Sequence, residues 1–132
     1  MPAGKTNSYS DSVLNLLRGS NVTAFSPYVG LMSVAPTDDN STGTELSGSG
    51  YSRQSITFGA PADEGTGGRK VSNTNVIRFG PASANWSAAV AFGIYDAASS
   101  GNLRYWGTMT TVTVVSSSSL EIAIGDLSVV ED

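Results

Sequence analysis

Residues 86–109 read WSAAVAFGIYDAASSGNLRYWGTM, and this stretch decides the fold class. Trp86, Ala88, Val90, Phe92 and Ile94 recur at every second position, the repeat of a half-buried β-strand and not the spacing of a helix. After Tyr95 the chain passes through small and turn-forming residues, with Gly101-Asn102 as the turn signal. Leu103, Arg104 and Tyr105 then restart a strand pattern. Residues 86–95 and 103–109 therefore predict an antiparallel hairpin joined by a loop of several residues.

The same alternation extends outward in both directions. Upstream, 28–34, 51–58 and 71–79 read as strands; downstream, 111–115, 120–124 and 127–130 do the same. One helix is predicted over 10–19, with Ser10 as cap, Asp11 at its positive end, Arg18 at its negative end and Gly19 as the left-handed stop. Tyr9, Val13, Leu16 and Leu17 fall on one face of it. About two turns do not hold a helix together in water, so it is expected to pack, plugging one end of its own sandwich. Two connections, 35–50 and 59–68, are too long for tight turns, and loops of such length are usually functional or ordered by a partner. The expectation is an all-β protein, an antiparallel β-sandwich of jelly-roll or Greek-key-like order with one short N-terminal helix. It forms a single domain over 1–132, with an N-terminal arm over 1–26 and the sandwich over 27–132.

Composition narrows the function. Only 14% of the 132 residues are charged, and Ser, Thr, Gly and Asn are abundant, a neutral polar surface suited to packing against other proteins. The net charge of −4 opposes binding to nucleic acid, which needs a basic stripe. No stretch is apolar enough to span a membrane and no leader pattern opens the chain, so a soluble, non-secreted product is expected. Cysteine is absent, leaving neither disulfides nor thiolate chemistry.

Histidine is absent as well, which removes the commonest general base and metal ligand. The carboxylate pairs Asp38-Asp39 and Asp63-Glu64 are sequence neighbours in Gly-flanked loops, and a glycosidase needs carboxyls that face each other. Asp38, Asp39, Asn40 and Glu45 carry oxygens that suit calcium but lack the EF-hand spacing. Residues 65–70, GTGGRK, lack the Lys-Ser/Thr pair and the following helix of a phosphate loop. Trp86, Trp106, Tyr95 and Tyr105 offer a sugar platform, but aromatics on alternating strands belong more often to a core. The expectation is no enzyme, no cofactor and no metal.

The segments YVGLMSVAPT (28–37), TELSGSGYSRQSITFG (44–59) and NVIRFGPASANWSAAVAFGIYDAASSGNLRYWG (75–107) resemble a family of small bacteriophage virion proteins, often labelled tail-fibre proteins, over roughly residues 5–115. Sandwiches of this size also resemble capsid cement or decoration proteins. The resemblance implies a non-enzymatic virion structural protein made in the bacterial cytoplasm. With no fibre shaft sequence, the chain is expected to be a capsid cement on the capsid exterior, clamping neighbouring subunits of the major capsid protein; a tail-fibre or collar module binding a host receptor or carbohydrate is the alternative. Partners are the major capsid protein or other virion proteins, with self-association as a dimer or trimer and neither nucleic acid nor membrane. Partner contacts are expected from Thr37, Asp38, Asp39, Asn40, Thr44 and Glu45 in the first long loop, and from Asp126, Glu131 and Asp132 in the acidic tail.

Overall fold

The computed structural model describes residues 3–131. Its elements in chain order are β1 (Ala3–Lys5), α1 (Asn7–Leu14) followed by a 3₁₀ turn (Asn15–Arg18), β2 (Tyr28–Val34), β3 (Thr44–Glu45), β4 (Gln54–Ser55), β5 (Ala62–Asp63), β6 (Arg69–Ser72), β7 (Ile77–Phe79), β8 (Ala89–Tyr95), β9 (Leu103–Val112), β10 (Leu120–Ile122) and β11 (Ser128–Glu131). The protein is an all-β sandwich with a short N-terminal helix, and among the described residues every strand pair is antiparallel.

One layer is a six-stranded sheet in the order β1-β9-β8-β2-β3, with β4 also on the β2 edge. The other layer is divided between a β10-β7 pair and a β11-β6-β5 sheet. The hairpin expected from 86–109 is the β8-β9 pair at the centre, in which Ile94 faces Tyr105 and Phe92 faces Gly107. Beside it, β2 places Val29 against Ile94 and Leu31 against Phe92. Val29, Leu31, Ile94, Ile77 and Phe79 are buried at 0–2% exposure and join the two layers; Phe92, Tyr105, Leu120, Ile122 and Val129 pack around them, half-buried. Between the two small sheets sits Asn73, 1% exposed. Its side chain donates to the Asn75 and Ala123 carbonyls (2.8 and 3.0 Å) and accepts from the Leu127 amide (3.0 Å).

Several expected elements differ in extent. The strand read over 71–79 breaks at Asn73 into β6 and β7, which belong to different sheets. Residues 51–58 retain only β4 and a bridge from Phe58 to Asn73. The runs 103–109 and 111–115 merge into the single strand β9, which ends at Val112. Trp86 lies ahead of β8, yet it is buried in the core and donates to the Ser49 carbonyl at 2.8 Å. Trp106, expected beside it, is half-buried on the opposite face of the large sheet, in register with Gly93 and Gly4.

The helix begins four residues earlier than its sequence suggests, capped by Thr6 and not by Ser10. Thr6, 2% exposed, caps it by accepting from the Tyr9 amide (3.4 Å) while its own hydroxyl donates to the Leu103 carbonyl (2.9 Å). That anchor on β9 fixes the start, and Ser10 falls inside the helix. Gly19 is the left-handed stop as expected, at φ 83°. The helix does not plug the sandwich: neither α1 nor the 3₁₀ turn buries a residue, and Leu14, Leu16 and Leu17 are 59%, 52% and 87% exposed. Its hold on the domain comes from Thr6, from the Asn7 amide, which donates to the Asp38 carbonyl, and from Tyr9, whose ring meets Phe25 and Tyr105 edge-on at 6.0 and 5.4 Å.

Candidate functional site

The first long loop was expected to gain little from its own domain and to order on a neighbour. Instead it folds back onto the large sheet. Thr44 and Glu45 form β3 against Val34 and Met32, and Leu46 is buried with its amide donating to the Leu31 carbonyl at 2.9 Å. Glu45 accepts two bonds from the Arg53 guanidinium (2.9 and 2.8 Å) and one from the Tyr51 hydroxyl (2.7 Å). Arg53 also donates to the Ala97 and Ser100 carbonyls (2.9 and 2.7 Å), and its guanidinium lies 3.5 Å from the centre of the Tyr95 ring. Burial opposes the charge on Arg53, but the bonds to Glu45 outweigh it and hold its pKa above the usual arginine value. Burial pushes the Tyr95 phenol up to about 12, with the Glu45 charge adding to it.

Two facing glycines make room for this cluster. Gly30 on β2 pairs with Gly93 on β8. A Cβ at Gly30 would come within 2.7 Å of a Glu45 oxygen, and one at Gly93 within 2.6 Å of Leu103. The cluster ties the first long loop to the β8-β9 hairpin loop, and its donors and acceptors are consumed in doing so.

The remaining expected contact residues are dispersed. Thr37, Asp38, Asp39 and Asn40 form an exposed turn in which the Asn40 amide donates to the Thr37 carbonyl (2.7 Å). Asp39 accepts from the Thr37 hydroxyl and from Ser41, and these bonds, that of Thr37 foremost, lower its pKa. Asp38 accepts from the Trp106 indole (3.0 Å), while its carbonyl accepts from the Asn7 amide (2.8 Å). The turn is thereby fastened to the helix start and to β9. Glu131 lies elsewhere, paired with Lys5 (2.8 Å) and accepting from the Tyr105 hydroxyl (2.8 Å). Burial opposes ionisation of Glu131, but Lys5 and Tyr105 overcome it and its pKa falls. Asp126 is exposed in the turn between β10 and β11, and Asp132 lies outside the described residues. These carboxylates do not converge on one site.

The aromatic platform disperses too. Trp86 is in the core, Tyr95 is under Arg53, and Tyr105 and Trp106 occupy opposite faces of β9. Among the described residues, no group of three or more Asp and Glu is placed to hold a metal ion, and no helix is long and apolar enough to cross a membrane.

Reading along the sequence missed two surface features. One is the exposure of Leu14, Leu16 and Leu17, of which Leu16 and Leu17 were expected on the packing face with Tyr9 and Val13. The other is an apolar slot of about 310 Å³ at the mouth of the sandwich, walled by Phe25, Pro27, Phe58, Val71, Ile94 and Val129. Those walls come from separate segments, so no local pattern announces the slot. Arg69, Lys70 and Glu131 also line it.

No curated protein matches the sequence. The family described as Podophage GP4 fiber I protein gp80 matches residues 4–130, nearly the whole sandwich and the helix with it. The chain belongs to that family and is a structural protein of a bacteriophage particle.

Proposed function

We propose that this protein is a non-catalytic component of a phage fibre that works by docking onto other virion proteins. The observation that carries this reading is a contrast in how polar and apolar groups are used. The ionic groups that reach the sheet, Glu45, Arg53, Asp96, Arg104, Lys5 and Glu131, are spent on internal pairs at 2.8 Å. Leu14 at the end of the helix, and Leu16 and Leu17 in the 3₁₀ turn after it, are left largely to solvent. Exposed apolar side chains suit assembly, and tightly committed charges do not suit acid–base chemistry. The fibre description of the matching family favours the fibre over the capsid shell. The expected clamp of the cement reading, the 35–50 loop, is anchored to its own domain, which takes away that reading's main support.

The test is to label intact particles with an antibody against this chain and image them. Label along the fibres is expected. Label spread evenly over the capsid shell would overturn the fibre assignment in favour of the cement.

A further inference from the structure

We propose that Lys5, Tyr105 and Glu131 form a clasp between the two layers, and that its release lets the β11-β6-β5 sheet swing away from the large sheet and widen the apolar slot. This is a property of the folded chain and does not depend on where in the particle the protein sits.

The clasp joins two sheet edges. β1 is an edge strand of the large sheet, and β11 is an edge strand of the β11-β6-β5 sheet. Lys5 on β1 stands in register with Tyr105 on β9, and both reach the same carboxylate in the other layer. Glu131 accepts from the Lys5 ammonium at 2.8 and 3.1 Å and from the Tyr105 hydroxyl at 2.8 Å. Arg69, beside Glu131 in register, donates instead to the Pro61 carbonyl at 3.2 Å. Of the ion pairs among the described residues, only Lys5–Glu131 joins the layers; Glu45–Arg53 and Asp96–Arg104 lie on the large sheet and its loops.

The opposite side of the same small sheet is held differently. There the chain runs directly from β4, on the large sheet, into β5. Along that connection the Gly59 amide donates to the Ser72 carbonyl (2.9 Å) and the Thr74 amide to the Thr57 carbonyl (2.8 Å). The Asn75 side chain adds bonds to the Thr57 amide (2.9 Å) and the Ser55 carbonyl (3.2 Å). Continuous, hydrogen-bonded backbone on one side and a single carboxylate on the other make a hinge and a clasp. Local opening follows the side with less to lose.

Packing behind the clasp is thin. The slot of about 310 Å³ has Ile94 and Tyr105 of the large sheet on one wall and Val71 and Val129 of the small sheet on the other. A second hollow between the layers, about 360 Å³, is walled by Phe92 and Met109 on one side and by Ile122, Leu127 and Ser128 on the other. Side chains that face a void forfeit the dispersion contacts that hold packed layers together. The clasp itself meets water, the Lys5 and Glu131 side chains being 22% and 46% exposed. Hydration therefore competes with it closely, and it breaks more readily than the buried core.

The experiment is native-state hydrogen exchange on the full chain, with an uncharged apolar dye, N-phenyl-1-naphthylamine, as the probe of the slot. In the wild type the amides of β11 are expected to open at least about tenfold more often than those of β2 and β8. Glu131→Gln keeps the length of the side chain and discards its charge. It should speed β11 exchange about 5- to 20-fold and tighten dye binding by a similar factor, because the open population rises by that factor. Adding Lys5→Met to Glu131→Gln should speed exchange no further, since the two residues make one contact. β11 amides that open as rarely as those of β2 and β8 overturn the proposal. So does exchange indifferent to Glu131→Gln, or a Lys5→Met effect that adds in full to that of Glu131→Gln. Faster exchange with unchanged dye binding overturns it as well, because β11 would then fray alone while the slot stays as it is.

Discussion

Tyr51 completes the edge of β2 with a side chain where a strand is missing. Along that edge β3 pairs with Met32 and Val34, and β4 pairs with Tyr28 and Val29. In the gap between them the Leu31 amide donates to the Tyr51 hydroxyl at 2.9 Å, and the hydroxyl donates onward to Glu45 at 2.7 Å. The ring stacks on Phe79 at 6.1 Å and meets Trp86 edge-on at 5.6 Å. Tyr51→Phe keeps the ring contacts but strands a backbone donor and removes a bond to Glu45. A loss of about 1–3 kcal/mol is expected, read as a lower urea midpoint at unchanged slope. An unchanged midpoint would mean that water replaces the hydroxyl without cost.

At the scale of elements, the first long loop behaves as part of the domain. Replacing residues 37–48 by a tight turn removes β3, deletes the buried Leu46, and leaves Arg53, with its side chain only 9% exposed, without its carboxylate partner. Losing a buried leucine and half of a part-buried ion pair is expected to cost about 4 kcal/mol or more, a large share of the stability of a small domain. Thermal unfolding of the shortened protein measures it, and a midpoint within a few degrees of wild type would return the loop to the role of a free arm. The β8-β9 hairpin shows the same economy of local bonding. Asp96 accepts from the Asn102 amide (2.7 Å), the Asn102 side chain (3.1 Å) and Arg104 (2.8 and 3.2 Å), closing the loop that Gly101-Asn102 begins.

For the molecule as a whole, these internal bonds predict a stability plateau with two shoulders. Asp96 and Glu131 are held below 3.8 and 4.5, the bonds to Asn102 and Arg104 in one and to Lys5 and Tyr105 in the other overcoming the effect of burial; Asp39 is lowered by Thr37 and Ser41. Below those values the unfolded chain binds more protons than the native protein, so stability falls as pH drops through the native pKa values. Tyr51, Tyr95 and Tyr105 are raised above 10.0, chiefly by burial, Tyr95 to about 12. Here the native protein holds its protons longer, so stability is complete below 10.0 and declines through about 12. Urea midpoints measured from acid to alkaline pH should therefore be flat between 4.5 and 10.0 and fall on either side. In Asp96→Asn the acid shoulder should be shallower; an identical shoulder would remove Asp96 from its cause.

What the sequence determined by itself was whatever depends on neighbours along the chain. The two-residue alternation over 86–95 and the turn at Gly101-Asn102 specified the central hairpin, and the run over 28–34 specified β2 to the residue, because strand faces and turns are local steric matters. Gly19 marked the helix end for the same reason. The fates of Asn73, Thr6 and the first long loop were decided only in three dimensions. Asn73 reads as one more polar position in a strand until Ala123 and Leu127 arrive to bond it, and then the strand must divide. Thr6 displaces Ser10 as the cap because β9 holds its hydroxyl in place. Glu45 resembled a free surface acid, yet Arg53 and Tyr51 enclose it and Gly30 leaves the space for it to lie on the sheet. The apolar slot is the extreme case: its walls come from six stretches of chain, and only the packing of one layer over the other brings them together.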